Sequence, residues 1–561
     1  MIKKNETIIN TIKQVIADAI YKICETDPSF LSNPLTSYKY VVEKTRQITF
    51  GDFSSNIALV IKNAKIGNCK EIAQLICQNI QCNLFEKVEI SNNGFINFFL
   101  KNNYKEKCLK EIVISKEKYG NFAKKNLFYN MEYVSGNPTG LLHIGHARNA
   151  AAGDSLIRIW QAYGIRVDKE YYINDGGNQI NKLALSVLIR YLQLFNEKKE
   201  LPQDAYHGDE VIDAAIELKK QFGPRFLKTK FDGNRILDKD DNETISVFAK
   251  NYMMSIIKQD LTNLGAQFEI WSPESNIYKY NLLDKTLQLL KKHIYVKDNA
   301  TWLRTTELGD DKDRVLIKSN HEYTYFCPDI AYHNIKLSRG YDKIFAIWGA
   351  DHKSYVDRMR IAIQLLGYKS EQFHVCIMQM VKLVKNGQEF KMSKRSGDSF
   401  TVQDLLKLLG KDASRWYLVS QSLDSHITID IEKATKKSIE SSFYYVQYAY
   451  VRGKQLLNKA KKMKMITSCS ELKLDEEQEL INQLLMFKPT IEHIANSFEV
   501  HKMCLYLQNL AKLFHSFYEK ATIVDPNDKT LTGQRLFLVN CITIVIKNGF
   551  SLLGVDAVET M

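Results

Sequence analysis

The chain has 561 residues, 45% of them apolar, with 77 Lys and Arg against 64 Asp and Glu, a net charge of +13. This is too long for one domain and too apolar for a disordered chain; the excess positive charge suits a polyanionic partner, although lysine-rich usage alone also produces it. No secretory h-region follows the polar start Met1-Ile-Lys-Lys-Asn-Glu-Thr7, Lys547-Asn548 interrupts the apolar C-terminal run short of a membrane span, and ten scattered cysteines without a Cys-x-x-Cys pair argue for a cytoplasmic protein without zinc.

In chain order, residues 1–110 read as a separate module. Ile8, Ile9, Ile12, Val15, Ile16, Ala19 and Ile20 share one face of an opening helix, and the apolar strand Gly94-Phe-Ile-Asn-Phe-Phe-Leu100 closes it. The lysine-dense stretch 101–125 reads as a solvated helix surface. A core predicted over 125–420 begins with a buried strand at 127–134 and the polar turn Ser135-Gly-Asn-Pro-Thr-Gly140. Ile144, Ala147, Ala151, Ile159 and Tyr163 then recur at roughly helical spacing, and 167–173 reads as a second strand. Strand, turn, helix, strand is a βαβ unit with its turn at the helix N-terminus, where anions are stabilised.

Residues from about 190 to 300 are richer in charge and read as a helical insertion. Strands expected at 315–318, 343–348 and 372–378 complete a split parallel sheet. From 430 to 561 the pattern is a helical bundle. Most rings of Phe443-Tyr-Tyr-Val-Gln-Tyr-Ala-Tyr450 belong in its core, whereas Tyr448, Arg452 and His515 are candidates to stack on unpaired bases. No Gly-x-Gly-x-x-Gly or Gly-x4-Gly-Lys-Ser/Thr loop is present, which speaks against dinucleotide and P-loop enzymes.

The most specific segment is Asn137-Pro-Thr-Gly-Leu-Leu-His143-Ile-Gly-His146. With 12 His and 26 Gly in the chain, a chance His-x-Gly-His is expected only about 0.01 times. His143 and His146 are three apart and can face one ligand; Gly145 leaves room for a flat base against the backbone. Two helix-capping histidines are the plainer alternative. Lys391-Met392-Ser393-Lys394 supplies two further cations on a loop. Together the segments provide what a triphosphate needs when it is attacked at its α-phosphorus, because phosphoryl chemistry is mostly positioning and charge stabilisation.

Several stretches resemble the bacterial arginyl-tRNA synthetases, a class I aminoacyl-tRNA synthetase family, and the likeness covers nearly the whole chain. They are Glu132-Tyr-Val-Ser-Gly-Asn-Pro-Thr-Gly-Leu-Leu-His-Ile-Gly-His-Ala-Arg148, Tyr171-Tyr-Ile-Asn-Asp-Gly-Gly-Asn-Gln-Ile180, Tyr325-Phe-Cys-Pro-Asp-Ile-Ala-Tyr332, Trp348-Gly-Ala-Asp-His352, Lys391-Met-Ser-Lys-Arg-Ser-Gly397 and Asp412-Ala-Ser-Arg415. The first and fifth mark class I enzymes; the second, third and fourth narrow the resemblance to arginine. It implies an α/β fold: a Rossmann-like parallel sheet with helical insertions, an N-terminal α+β module that touches the outer corner of the tRNA, and an all-α anticodon-binding bundle.

The implied reaction joins L-arginine to tRNA(Arg) through an arginyl-adenylate, with ATP, accompanied by Mg²⁺, as substrate. His143, Gly145, His146, Lys391, Met392, Ser393 and Lys394 are implied to hold ATP. The two histidines stabilise the phosphoryl oxygens and the two lysines the leaving pyrophosphate. Asp329, with Tyr325 beside it, is implied to face the guanidinium, with Glu274 as a second carboxylate. Ser135, Asn137 and His143 would hold the amino and carboxylate end, where Asp351 and His352 also lie. Planar bidentate recognition by carboxylates is what separates arginine from lysine. The family further implies a monomer that activates arginine only with tRNA bound. Gly136 and Gly176 depart from it, standing where relatives often carry alanine.

Other readings share parts of this pattern. A class I synthetase for lysine also needs an anionic pocket; one for cysteine is opposed by the missing zinc-ligand cysteines, and one for glutamate by Asp329. A nucleotidylyltransferase shares the His-x-Gly-His chemistry but is usually shorter and lacks the helical bundle. A catalytically dead RNA-binding paralogue has no reason to keep both histidines and both loop lysines.

Overall fold

The computed structural model describes residues 7–61, 67–390 and 400–560. The N-terminal module is built on the helix Ile8–Thr26, whose first turn is capped by the Thr7 hydroxyl accepting from the Asn10 N–H. Its buried stripe, Ile8, Ile12, Ile16, Ile20 and Ile23, belongs to the same apolar core as Phe53, Ile96 and Phe98. Those residues come from an antiparallel sheet of β1 (Val42–Lys44), β2 (Phe53–Ser55), β3 (Phe85–Ile90) and β4 (Ile96–Leu100), in the order β1-β2-β4-β3.

The 101–125 stretch is more than a solvated surface. Its helix Asn102–Ser115 buries Lys105, which donates to Asp52 of the module at 2.7 Å and to Gln478 of the bundle at 2.9 Å. Asn482 of the bundle donates to the same Asp52 carboxylate at 2.8 Å. A buried ammonium needs such an anion, and the pairing docks the module on the bundle.

The central sheet is wholly parallel: β5 (Phe128–Glu132), β6 (Arg166–Ile173) and β7 (Ile270–Pro273) lie on one side, followed across β5 by β11 (Lys343–Gly349) and β12 (Phe373–Met378), in the order β12-β11-β5-β6-β7. The helix Ile144–Ala162 crosses from β5 to β6. Two sequence expectations need correction. The strand expected at 315–318 as part of this sheet is β10 (Arg314–Ile317), which pairs antiparallel with β9 (Ala300–Leu303), itself paired with β8 (Ile294–Lys297). A four-residue apolar run carries no information about the direction of its partner. Nor is 190–300 one helical block. The helices Asn178–Gln193, Asp209–Phe222 and Lys239–Leu264 form one insertion, β7 returns to the sheet, and the β8–β10 sheet follows in a second.

After β12 the chain turns into β13 (Val381–Lys385), which pairs with β14 (Gln388–Glu389) and, in parallel, with β15 (Ile427–Asp430). Five long helices follow: Ser442–Lys459, Asp475–Leu485, Phe487–Ser497, His501–Lys520 and Lys529–Leu552. The last runs through Lys547-Asn548 without a break. Among the described residues it alone is long and apolar enough to cross a membrane, but 72% of its apolar window is buried inside the protein. Asn548 fits that setting because its amide donates to the Lys116 and Tyr119 carbonyls at 2.8 and 2.9 Å.

Candidate active site

The sheet order reverses between β5 and β11, one strand leading on to β6 and the other to β12. In open parallel sheets such a switch point leaves a crevice at the carboxyl ends of the strands. A cavity of about 1170 Å³ opens there, lined by Glu132 and Val134 at and just past the end of β5, 347–352 at and past the end of β11, and Met378 and Met380 around the end of β12. As the chain leaves β5, Val134 and Ser135 take positive φ (70° and 44°), a strained course for non-glycine residues that is concentrated at functional sites. Ser135 is held in it on both sides: its hydroxyl donates to Glu132 at 3.1 Å and accepts from the Tyr172 N–H at 3.1 Å.

Both histidines line this cavity, and both also cap their helix. His143 Nδ1 accepts from the Gly145 N–H at 3.0 Å, and His146 Nδ1 accepts from the His143 N–H at 3.2 Å. With each Nδ1 acting as acceptor, each neutral ring carries its proton on Nε2 and can donate it outward. The rings stack 3.8 Å apart. Burial lowers the His143 pKa; burial and then His143 itself push His146 down to about 3, so both rings favour the neutral form at pH 7. Gly145 is needed for this packing, because a Cβ there would lie 2.8 Å from the His143 ring.

Across the cavity, Asp329 sits in the first turn of the helix Phe326–Ser338 and accepts from the Tyr355 hydroxyl at 2.7 Å. Burial raises its pKa to about 7 against that hydrogen bond, with Glu132 and Glu274 adding to the rise. Glu132 is buried and paired with Lys336 at 2.9 Å. Glu274, whose pKa burial also raises, stands behind Tyr172 and not on the cavity wall. Its place depends on Gly176, since a Cβ there would be 2.8 Å from Glu274 Oε1. Two carboxylates thus line this end of the cavity, Asp329 and the Lys336-paired Glu132, with Glu274 set behind them.

The other sequence candidates are dispersed. Asn137 lines the cavity but is exposed, and its amide donates to Gln179 at 3.0 Å. Asp351 and His352 face each other at 3.3 Å on the cavity rim, both largely solvent-exposed. Tyr325 does not line the cavity and is 90% exposed: it stands outside the first turn of the Asp329 helix, on the solvent side of the incoming loop. Lys391, Met392, Ser393 and Lys394 lie outside the described residues.

Sequence reasoning missed several cavity residues. Glu132, Tyr172 and Tyr332 lie within the stretches that carry the resemblance, with nothing local to mark them as cavity residues, and Tyr355 carries no signal. Tyr206 and His207, from the loop before the helix Asp209–Phe222, and Glu210, in its first turn, form a further wall.

In the bundle, the Arg452 guanidinium lies over the rings of Tyr448 and Tyr518 at 4.6 and 4.4 Å, and its Nη1 is 3.2 Å from His515 Nδ1. Tyr448 and Tyr518 are about two-fifths exposed, whereas His515 is buried beneath them against Tyr445. His515 therefore supports the cluster and does not itself offer a face to a base.

Residues 8–100 match a family model described as the arginyl tRNA synthetase N-terminal domain, 108–457 the class I (R) tRNA synthetase catalytic domain, and 446–561 the DALR anticodon-binding domain. The chain is 46% identical to an arginine–tRNA ligase of Malacoplasma penetrans over 98% of both sequences. It is 36% identical to that of Bacillus subtilis over 99% of both. Its fold matches the arginyl-tRNA synthetase of Thermus thermophilus with a TM-score of 0.77 at 20% identity, over 99% of this chain and all of that one.

Proposed function

Since this chain belongs to the arginyl-tRNA synthetase family, we propose that the cavity at the β5–β11 switch point is where arginine and ATP meet. The chain ligates L-arginine to its tRNA through an enzyme-bound arginyl-adenylate, consuming ATP and releasing AMP and pyrophosphate.

In the first step the arginine carboxylate attacks the α-phosphorus in line and pyrophosphate departs. The carboxylate is already ionised, so no protein base is required. What the step needs is charge stabilisation on the phosphoryl oxygens, and preorganised donors supply it without reorganising. The Nε2–H groups of His143 and His146 have this role, at a helix N-terminus whose dipole favours the same charge. Gly145 lets the base lie against the backbone. Lys391 and Lys394 act on the leaving pyrophosphate, and Met392 and Ser393 between them contact ATP. Mg²⁺ enters on ATP as part of the substrate, and zinc has no role.

Asp329 reads the guanidinium, with Glu274 and Glu132 deepening the negative field around it. Ser135 and Asn137 hold the amino and carboxylate end, and Asp351 and His352 close the rim. In the second step the adenylate carbonyl carbon is attacked by a hydroxyl of the terminal ribose of tRNA(Arg), and AMP leaves. Residues 1–110 take the outer corner of that tRNA and 430–561 its anticodon, with Tyr448 and Arg452 as stacking contacts. The enzyme works as a cytoplasmic monomer. A pocket that leaves buried carboxylates unpaired with a wrong substrate discriminates without an editing site.

The observation that carries this reading is the pairing, in one cavity, of two neutral imidazole donors with a carboxylate pocket built on Asp329. Amino-acid-dependent ATP–pyrophosphate exchange, run with each of the twenty amino acids with and without tRNA, tests it. Exchange with arginine alone, appearing only when tRNA is present, is expected. Exchange with lysine would keep the fold and overturn the pocket.

A further inference from the structure

Two residues beyond His146, on the same helix, Arg148 is completely buried. A guanidinium in the first turns of a helix stands against the dipole, and burying it without a counter-ion is costly. Among the described residues no carboxylate lies within ion-pair distance of it. Among the described residues its hydrogen bonds all go to carbonyl oxygens: Nη1 donates to Gln379 at 2.6 Å and to Ser425 at 2.9 Å, and Nη2 donates to Ser422 at 2.7 Å. Among the described residues its Nε has no hydrogen-bond partner. An arrangement this costly has to be repaid in geometry.

The acceptors show what is being placed. Gln379 lies between Met378 and Met380, and both of these line the cavity. Its N–H donates to the Leu423 carbonyl at 2.9 Å, and the Ile427 N–H donates to the Met380 carbonyl at 3.2 Å. This backbone is therefore gripped from two sides, by the 422–427 segment and by the histidine helix. One planar fork joins two stretches of chain to the histidine helix, Gln379 on one side and the 422–425 turn on the other, where the Asp424 carboxylate adds a longer-range attraction. A lysine ammonium, a point donor, lacks the geometry to hold all three carbonyls.

We propose that Arg148 is a positioning residue that sets the width of the nucleotide slot, fixing the Met378–Met380 wall at a set distance from His143 and His146. This rests on the cavity being the ATP site. The fork acts on the ATP side, while the Asp329 pocket is built on another helix. Loosening it should therefore weaken ATP use and spare arginine binding.

The test is steady-state arginylation by the full-length Arg148→Lys protein, with thermal midpoints measured alongside. KM for ATP should rise about tenfold, the equivalent of one lost charge-assisted hydrogen bond, and kcat should fall. KM for arginine should stay within about twofold. Gln379→Gly, which loosens the same wall from its other side, should give the same ATP-selective rise, and it reads the proposal if Arg148→Lys does not fold. A lower thermal midpoint with both KM values unchanged, or with both raised equally, would reduce Arg148 to a structural role. Equilibrium dialysis of ATP against both proteins keeps the two readings apart. An unchanged ATP affinity overturns the slot, whereas absence of arginine-dependent exchange in the unmodified protein overturns the functional reading instead.

Discussion

The hydroxyl of Tyr355 donates to Asp329 Oδ2 at 2.7 Å, and against it burial still raises the carboxyl to about pH 7. In the empty pocket Asp329 is thus close to half protonated at neutral pH. A guanidinium favours the ionised form and must draw the carboxyl pKa down, so arginine binds with release of part of a proton. KM for arginine should rise by up to about tenfold per pH unit as pH falls below 7, while KM for ATP changes much less. Initial rates from pH 5.5 to 8.5, with binding heats measured in buffers of different ionisation enthalpy, check this. A flat arginine profile would remove Asp329 from the guanidinium.

Replacing the same carboxyl separates binding from stability. Asp329→Asn should raise KM for arginine by roughly 10²-fold or more, because the amide lacks the charge that pairs with the guanidinium. The empty protein should become more stable. The folded pKa of about 7 lies above the unfolded value, so the stability this carboxyl contributes is complete below about pH 4 and is lost as pH rises towards 7. The variant escapes that loss, by roughly 2–4 kcal/mol above neutrality, since each pKa unit is worth about 1.4 kcal/mol. Its Tm should exceed that of the parent at pH 8, with the gap closing by pH 4; the opposite trend would mean that the carboxyl is already ionised and paired.

How much of this was legible in the sequence follows from the range of each signal. The run from β5 through the polar turn to the histidine helix and β6 is continuous, and local periodicity and capping chemistry disclosed it. β10 was assigned to the wrong sheet because strand direction is a property of the partner. The resemblance alone sets Tyr325 beside Asp329, but the helix begins after it and its side chain is exposed to solvent. The hydroxyl that does meet Asp329 belongs to Tyr355, on the next long helix, which only folding brings near. Glu132 and Lys336 are likewise joined across about 200 residues, beyond any local pattern.

His146→Ala should slow arginyl-adenylate formation by about 10²–10³-fold, the usual loss for one preorganised donor to a developing charge. The His143 N–H also loses its acceptor, so a small fall in Tm accompanies it. Single-turnover adenylate formation measures the first effect, and tRNA affinity, which depends on distant surfaces, should hardly change. Normal activation would exclude His146 from the chemistry.

Arg452→Ala should weaken tRNA binding several-fold and lower the dependence of log Kd on log salt by up to about one phosphate equivalent. Removing the guanidinium also frees the Tyr448 and Tyr518 rings that it holds at 4.6 and 4.4 Å. Filter binding at several salt concentrations reports both effects. A loss of affinity with no change in salt slope would assign Arg452 to ring packing and not to the nucleic acid.

One carboxylate ties together three parts of the chain. Glu492 Oε2 accepts from the Thr7 hydroxyl at 3.0 Å and the Asn10 amide at 2.8 Å, while Oε1 accepts from the Tyr163 hydroxyl at 3.0 Å. Thr7 caps the first helix of the N-terminal module, and Tyr163 ends the helix that begins at His143. Glu492→Ala leaves three donors to water or without a partner and should cost about 1–3 kcal/mol. Loss should fall first on the module's docking, since Tyr163 remains packed against Phe122 while, among the described residues, Thr7 and Asn10 make no other hydrogen bond to the bundle. Limited proteolysis within 101–125 should quicken in the variant, with the rest of the chain staying resistant. If cleavage there is unchanged, the Asp52–Lys105–Asn482 cluster holds the module without Glu492.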